Sequence, residues 1–118
     1  MYKIKTKRTY DEPDSSDGYR ILVDRLWPRG VKKETAAINL WLKEVAPSNE
    51  LRQWFNHEPN KWEEFKKRYA QELTKKQAHI TTITTQAKSQ TVTLLYSAKD
   101  EKRNNAQALL ELIYAEKK

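Results

Sequence analysis

The chain has 118 residues, enough for one domain that buries roughly two thirds of the surface its unfolded form would expose. It contains no cysteine, which excludes disulfides, thiolate metal sites and cysteine nucleophiles, and it has no apolar run of the length, about 18 residues, that a membrane span needs. Its 23 Lys and Arg against 16 Asp and Glu leave a net charge of +7 that favours anionic partners, while four tryptophans, six tyrosines and two phenylalanines supply buried area that a disordered chain lacks.

Met1-Tyr2-Lys3-Ile4-Lys5 alternates charged with apolar residues instead of opening an apolar run, so no signal peptide and a cytoplasmic location are expected. Residues 2–9 keep that alternation, with Tyr2, Ile4 and Thr6 on one face and Lys3, Lys5 and Lys7 on the other, which predicts a strand with one wet face. Residues 11–18 hold only turn formers and acids and predict an exposed loop. Residues 19–24 are nearly continuous in apolar and β-branched side chains, as in a central strand covered on both faces.

After a loop at 25–33, Ile38, Leu40 and Leu42 alternate with polar neighbours and Trp41, which fits a short strand; a helical turn starting near Lys33 fits nearly as well. Pro47-Ser48 reads as a helix stop followed by an N-cap, with Leu51, Trp54 and Phe55 sharing one helical face to about residue 56. Glu58-Pro59 opens the next helix, whose buried stripe is Trp62, Phe65, Tyr69 and Leu73. Residues 76–88 form a weaker helical pattern through Ile80, Ile83 and Ala87, lowered by β-branched threonines.

Residues 91–96 are a second buried-type strand. Residues 104–116 form a closing helix with Ala106, Leu109, Leu110 and Ile113 inward, and Lys117 and Lys118 suit the negative end of its dipole. No repeat or linker divides the chain, so residues 1–118 form a single domain. Two buried strands separated by helices imply a parallel pair, and the expected architecture is α/β: a small, mainly parallel, three- or four-stranded sheet flanked by helices.

Ligands of such sheets gather outside the carboxyl ends of the strands. There the central strand delivers Asp24, Arg25, Trp27, Pro28, Arg29 and Gly30, and the later strand delivers Tyr96, Ser97, Lys99, Asp100 and Asn104, so the two groups are expected to converge. Arginine forks suit phosphate or carboxylate, tryptophan offers a stacking surface, and Pro28 with Gly30 shapes a tight loop; together they fit an anion with a planar portion, such as a nucleotide. Other roles stay open. Asp24 and Arg25 could form an internal ion pair with Lys99 or Asp100, and Trp27 could be core.

His57 fits a turn or cap better than an acid or base, and His79 reads as surface. Two distant histidines give no metal-ligand spacing, and two glycines give no phosphate-cradling loop, so neither metal nor cofactor is expected. Trp62, Phe65 and Tyr69 read as core, and Lys66, Lys67, Lys75 and Lys76 as a solvated face more than a nucleic-acid footprint.

The run from Asp17-Gly18-Tyr19 through Asp24-Arg25-Leu26-Trp27-Pro28-Arg29-Gly30, with Leu40-Trp41-Leu42-Lys43-Glu44-Val45-Ala46-Pro47-Ser48, Leu51-Arg52-Gln53-Trp54-Phe55-Asn56-His57 and Tyr96-Ser97-Ala98-Lys99-Asp100, resembles the YeaO-like branch of the DUF488 family over nearly the whole chain. The resemblance implies a small bacterial or archaeal cytoplasmic α/β protein without an established activity. In the wider family the later strand often ends in a cysteine followed by a glutamate, where this chain has Tyr96-Ser97-Ala98, so thiol chemistry does not carry over. Close relatives often show a histidine before the Asn104 position; Arg103 stands here, which replaces proton transfer by an electrostatic role.

The reading is a binding domain or small enzyme for a phosphorylated or carboxylated small molecule, with catalysis itself left open. Arg25 and Arg29 hold the anion, Trp27 stacks, Lys99, Asp100 and Asn104 complete the site, and Asp24 is the candidate base. The alternative is a nucleic-acid-binding module using the basic surface.

Overall fold

The computed structural model describes residues 3–116, the last through its backbone alone; Tyr2, Lys117 and Lys118 lie outside the described residues. Strands β1 (Ile4–Arg8), β2 (Tyr19–Leu22), β3 (Leu40–Trp41) and β4 (Val92–Tyr96) form one parallel sheet in the order β1-β4-β2-β3. Every side chain of β4 is buried, and Ile21, Leu22 and Val23 are fully so, as continuous apolar strands inside an α/β domain require. The register pairs Ile21 with Leu94 and Leu22 with Leu95, and Val23 N–H donates to Leu95 O at 3.1 Å, so both chains leave the sheet at the same level.

The ambiguous stretch after residue 32 contains both expected elements. A single helical turn, α1 (Lys33–Ala36), ends on Ala37 in the left-handed region (φ 53°), and the chain then enters β3. Asn39 fixes this approach, its backbone and side chain exchanging hydrogen bonds of 2.9 and 2.8 Å with the Arg20 backbone.

The stretch at 11–18 is the exposed loop predicted for it except at Asp17. Asp14 caps a 3₁₀ turn over Ser15–Asp17, and Asp17 is only 1% exposed. Its carboxylate meets Lys5 at 3.3 Å and Lys7 at 3.1 Å on β1, and Arg20 on β2. Those cations occupy alternate strand positions that the turn folds over, so a residue of loop composition becomes a buried acceptor. Gly18 permits the turn: its φ is 64°, and a Cβ there would stand 2.2 Å from Thr91 O, which accepts from Tyr19 N–H.

Helices α2 (Asn49–Phe55), α3 (Trp62–Leu73), α4 (Gln77–Ala87) and α5 (Asn105–Glu116) follow the predicted stripes. Ser48 caps α2, accepting from Leu51 N–H at 3.1 Å, and its own hydroxyl donates to Glu72 at 2.6 Å. Pro59 opens a 3₁₀ turn over Pro59–Lys61 that leads into α3. The core joins Ile21, Val23 and Leu94 to Phe55, Phe65, Tyr69 and Leu73, with Phe55 stacked on Phe65 at 4.5 Å. Asn104 caps α5 by accepting from Gln107 N–H at 2.8 Å.

Candidate functional site

A cleft of about 650 Å³ opens where β2 and β4 end. The loop after β2 contributes Arg25 and Arg29 to its walls, α2 contributes Arg52, and the approach to α5 contributes Arg103. Among the described residues Asp24 is the single carboxylate residue lining it, beside these four arginines. Phe55 and Phe65, both buried, give an apolar floor.

Asp24 holds the two loops together. One carboxylate oxygen accepts from Ser97 N–H at 2.9 Å, and the other accepts from the Asn105 amide at 3.0 Å. The same amide donates to Val23 O at 3.0 Å, and Trp41 Nε1 donates to Asp24 O at 2.8 Å. Burial raises the Asp24 pKa above the ordinary carboxylate range, opposed by the hydrogen bonds from Asn105 and Ser97 and by the Arg52 charge. An Asp24–Arg25 ion pair, the alternative the sequence allowed, does not form; neutral donors satisfy the acid instead.

Arg25 is therefore left to the cleft. Its Nη2 donates to Pro47 O at 3.2 Å, and its Nε is buried without a partner. Arg52 donates to Asn49 Oδ1 at 3.1 Å, and Arg29 is exposed. Among the described residues none of these three arginines forms an ion pair, whereas Arg103 meets Asp100 at 3.4 Å. An orphaned guanidinium N–H costs at least as much as a lost hydrogen bond, about 1–3 kcal/mol.

The rim carries backbone in unusual conformations. Asn56 (φ 47°) and His57 (φ 54°) are successive left-handed residues after α2, ordinary for a C-cap asparagine but costly for histidine. The turn role expected for His57 is thus combined with a place on the cleft lining. Trp27, half-buried, donates from Nε1 to Val31 O at 2.7 Å and packs edge-on against Trp41 at 5.6 Å, so its indole is anchored and still lines the cleft. Tyr10, also on the lining, donates from Oη to Arg29 O at 3.1 Å and so ties down the loop.

Of the residues singled out from sequence, Asp24, Arg25, Trp27, Arg29 and Asn104 share this cleft. Lys99 is exposed and Asp100 lies off the cleft lining. Asp100 instead accepts from the backbone N–H groups of Lys102 at 2.9 Å and Arg103 at 3.0 Å, which hold its pKa low. Asn104 doubles as the α5 cap, with its amide on Asp100 O at 3.0 Å. Sequence reasoning missed Arg52; the available signal was its place on the polar side of α2, beside the buried Leu51 and Phe55.

The lysines of α3 and beyond do not form an unbroken basic face: Lys66 pairs with Glu63 and Glu111, and Lys76 donates to Ala46 O at 3.4 Å. His79, read as surface, is half-buried on α4. Among the described residues no cluster of His, Cys, Asp and Glu could hold a metal ion, and no helix is long and apolar enough to cross a membrane.

Residues 3–118 match a family model described as the inactive DUF488-N3 subclade. The chain is 46% identical over 108 residues to uncharacterized protein YeaO of Escherichia coli, covering 92% of this chain and 94% of that one. It is 45% identical over 71 residues, 60% of each chain, to uncharacterized proteins Rv3073c of Mycobacterium tuberculosis and Mb3100c of Mycobacterium bovis. No solved structure matches the chain significantly.

Proposed function

The chain belongs to the DUF488 family, in its YeaO-like branch, and from that premise we propose that it is a binding domain for an anionic, phosphorylated or carboxylated small molecule, which it holds without turning over. The observation that carries this reading is the set of three arginines, Arg25, Arg29 and Arg52, that line one cleft and, among the described residues, have no carboxylate partner. Guanidinium groups held apart from acids in a concave, partly apolar site are suited to bidentate capture of oxyanions.

The subclade's description as inactive favours binding over catalysis. So does the state of Asp24, each of whose oxygens accepts one hydrogen bond, from Ser97 or Asn105, so that it acts as a positioning residue joining the walls. Trp27 and Asn104 both line the cleft, and Arg103 adds charge tempered by Asp100. Lys99 and Asp100 contribute from outside the lining, through the field and through the loop.

A thermal-shift series tests the reading, with phosphate, sulfate, citrate and acetate each compared with chloride at matched ionic strength. An anion present at a hundredfold its dissociation constant adds about 2.7 kcal/mol of stability. The expected result is a selective rise in Tm with phosphate or the carboxylates that Arg25→Ala removes. Equal curves in every salt would reject the proposal.

A further inference from the structure

Resting on the anion-binding reading, we propose that the ligand is a phosphate monoester whose carbon skeleton carries free hydroxyl groups, as in a sugar phosphate, with the arginines taking the phosphoryl group and Asp24 accepting from a hydroxyl. Charge is the first argument. With Arg103 paired to Asp100, three arginines against the Asp24 carboxylate still leave an excess that a single carboxylate ligand does not neutralise, whereas a phosphate monoester brings a charge of about −1.5 to −2 near neutral pH and three acceptor oxygens.

Asp24 supplies the second argument. A carboxylate offers about four acceptor positions, and the bonds from Ser97 and Asn105 occupy one on each oxygen. Because Asp24 lines the cleft, a ligand group placed beside it is favoured if it is a hydroxyl donor and repelled if it is a second anion. The phosphoryl group and the Asp24 partner must then be different parts of one molecule. A volume of about 650 Å³ accommodates both.

The rest of the lining agrees with this division. Gln53 and Asn56 present exposed side-chain amides, each able to donate and accept, which is the chemistry hydroxyl groups use. Ala46, Pro47 and Phe55 offer apolar surface against which a short carbon skeleton can rest.

Calorimetric titration of the full chain with ribose 5-phosphate, glucose 6-phosphate and glycerol 3-phosphate tests the assignment, compared with methyl phosphate, inorganic phosphate and gluconate. At least one hydroxylated phosphate ester is expected to bind tenfold or more tightly than methyl phosphate and than gluconate. That preference should shrink severalfold in Asp24→Asn and, should that variant fail to fold, in Gln53→Ala, whose exposed side chain leaves the fold intact. Equal affinity for methyl phosphate and every hydroxylated ester overturns the hydroxyl assignment while sparing the anion site, and gluconate binding as tightly as the esters overturns the phosphoryl assignment. Failure of every anion to bind overturns this inference and the function it rests on together.

Discussion

The Asp24 carboxylate accepts the Ser97 backbone N–H at 2.9 Å, tying the first turn after β2 to the first residue beyond β4. With the Asn105 amide on the other oxygen, this acid joins three segments that wall the cleft. Asp24→Ala leaves a backbone N–H and an amide without their acceptor, and each such orphan costs about 1–3 kcal/mol. Urea unfolding of the variant should show a loss of about 2–4 kcal/mol, with Asp24→Asn losing roughly half of that. A loss near zero would show that the clasp is not what holds the walls.

Asp17 titrates in the opposite sense from Asp24. Burial pushes its carboxyl up, but the Asp14 N–H and the Lys7, Arg20 and Lys5 side chains more than offset this and hold its pKa at about 2. A folded-state pKa below the unfolded one contributes stability that is present above the ordinary carboxylate range and lost as pH falls through about 2. Acid titration followed by circular dichroism should therefore show unfolding that Asp17→Asn makes less steep. Asp24, with its raised pKa, contributes the reverse slope, lost as pH rises through its folded value, so it cannot be the source of acid unfolding.

The elements were largely legible because their periodicities are strong: Trp62, Phe65, Tyr69 and Leu73 mark α3 in sequence as they do in space. Asp17 was not legible, since loop composition predicts exposure and says nothing about three cations that only strand pairing assembles around it. In the candidate cleft, the placement of Arg25 and Arg29 followed from the rule that loops at strand ends gather ligands. That of Arg52 did not, because its approach to the cleft depends on how α2 packs against α3, and Asp100 lies off the lining, its acceptors taken by its local turn.

Gly18 and Gly30 both have positive φ, at 64° and 77°, but only one is sterically confined. A Cβ at Gly18 would lie 2.2 Å from Thr91 O, whereas nothing lies within 4 Å of one at Gly30. Gly18→Ala should lower stability by roughly 3 kcal/mol or more, and Gly30→Ala only by the left-handed backbone cost of about 1–2 kcal/mol. Differential scanning calorimetry of the pair reads the difference directly, and equal losses would contradict the close approach at Thr91.

Arg29 has an exposed side chain, and its loop is held through its backbone carbonyl by Tyr10. Arg29→Ala should leave Tm within about a degree or two, since exposed substitutions away from special features stay near ±0.5 kcal/mol. Its phosphate affinity should nevertheless fall by about tenfold, the equivalent of one charge-assisted hydrogen bond. A large drop in Tm would instead make this arginine part of the scaffold.

The claim that Arg25 and its neighbours form an anion site is tested most directly by titrating inorganic phosphate into the wild-type chain and into Arg25→Ala/Arg52→Ala at low ionic strength, following heat. Saturable binding by the wild type, weakened a hundredfold or more in the double variant as two charge-assisted contacts are lost, is the predicted result. Binding of equal strength in both proteins would contradict it, as would none in the wild type.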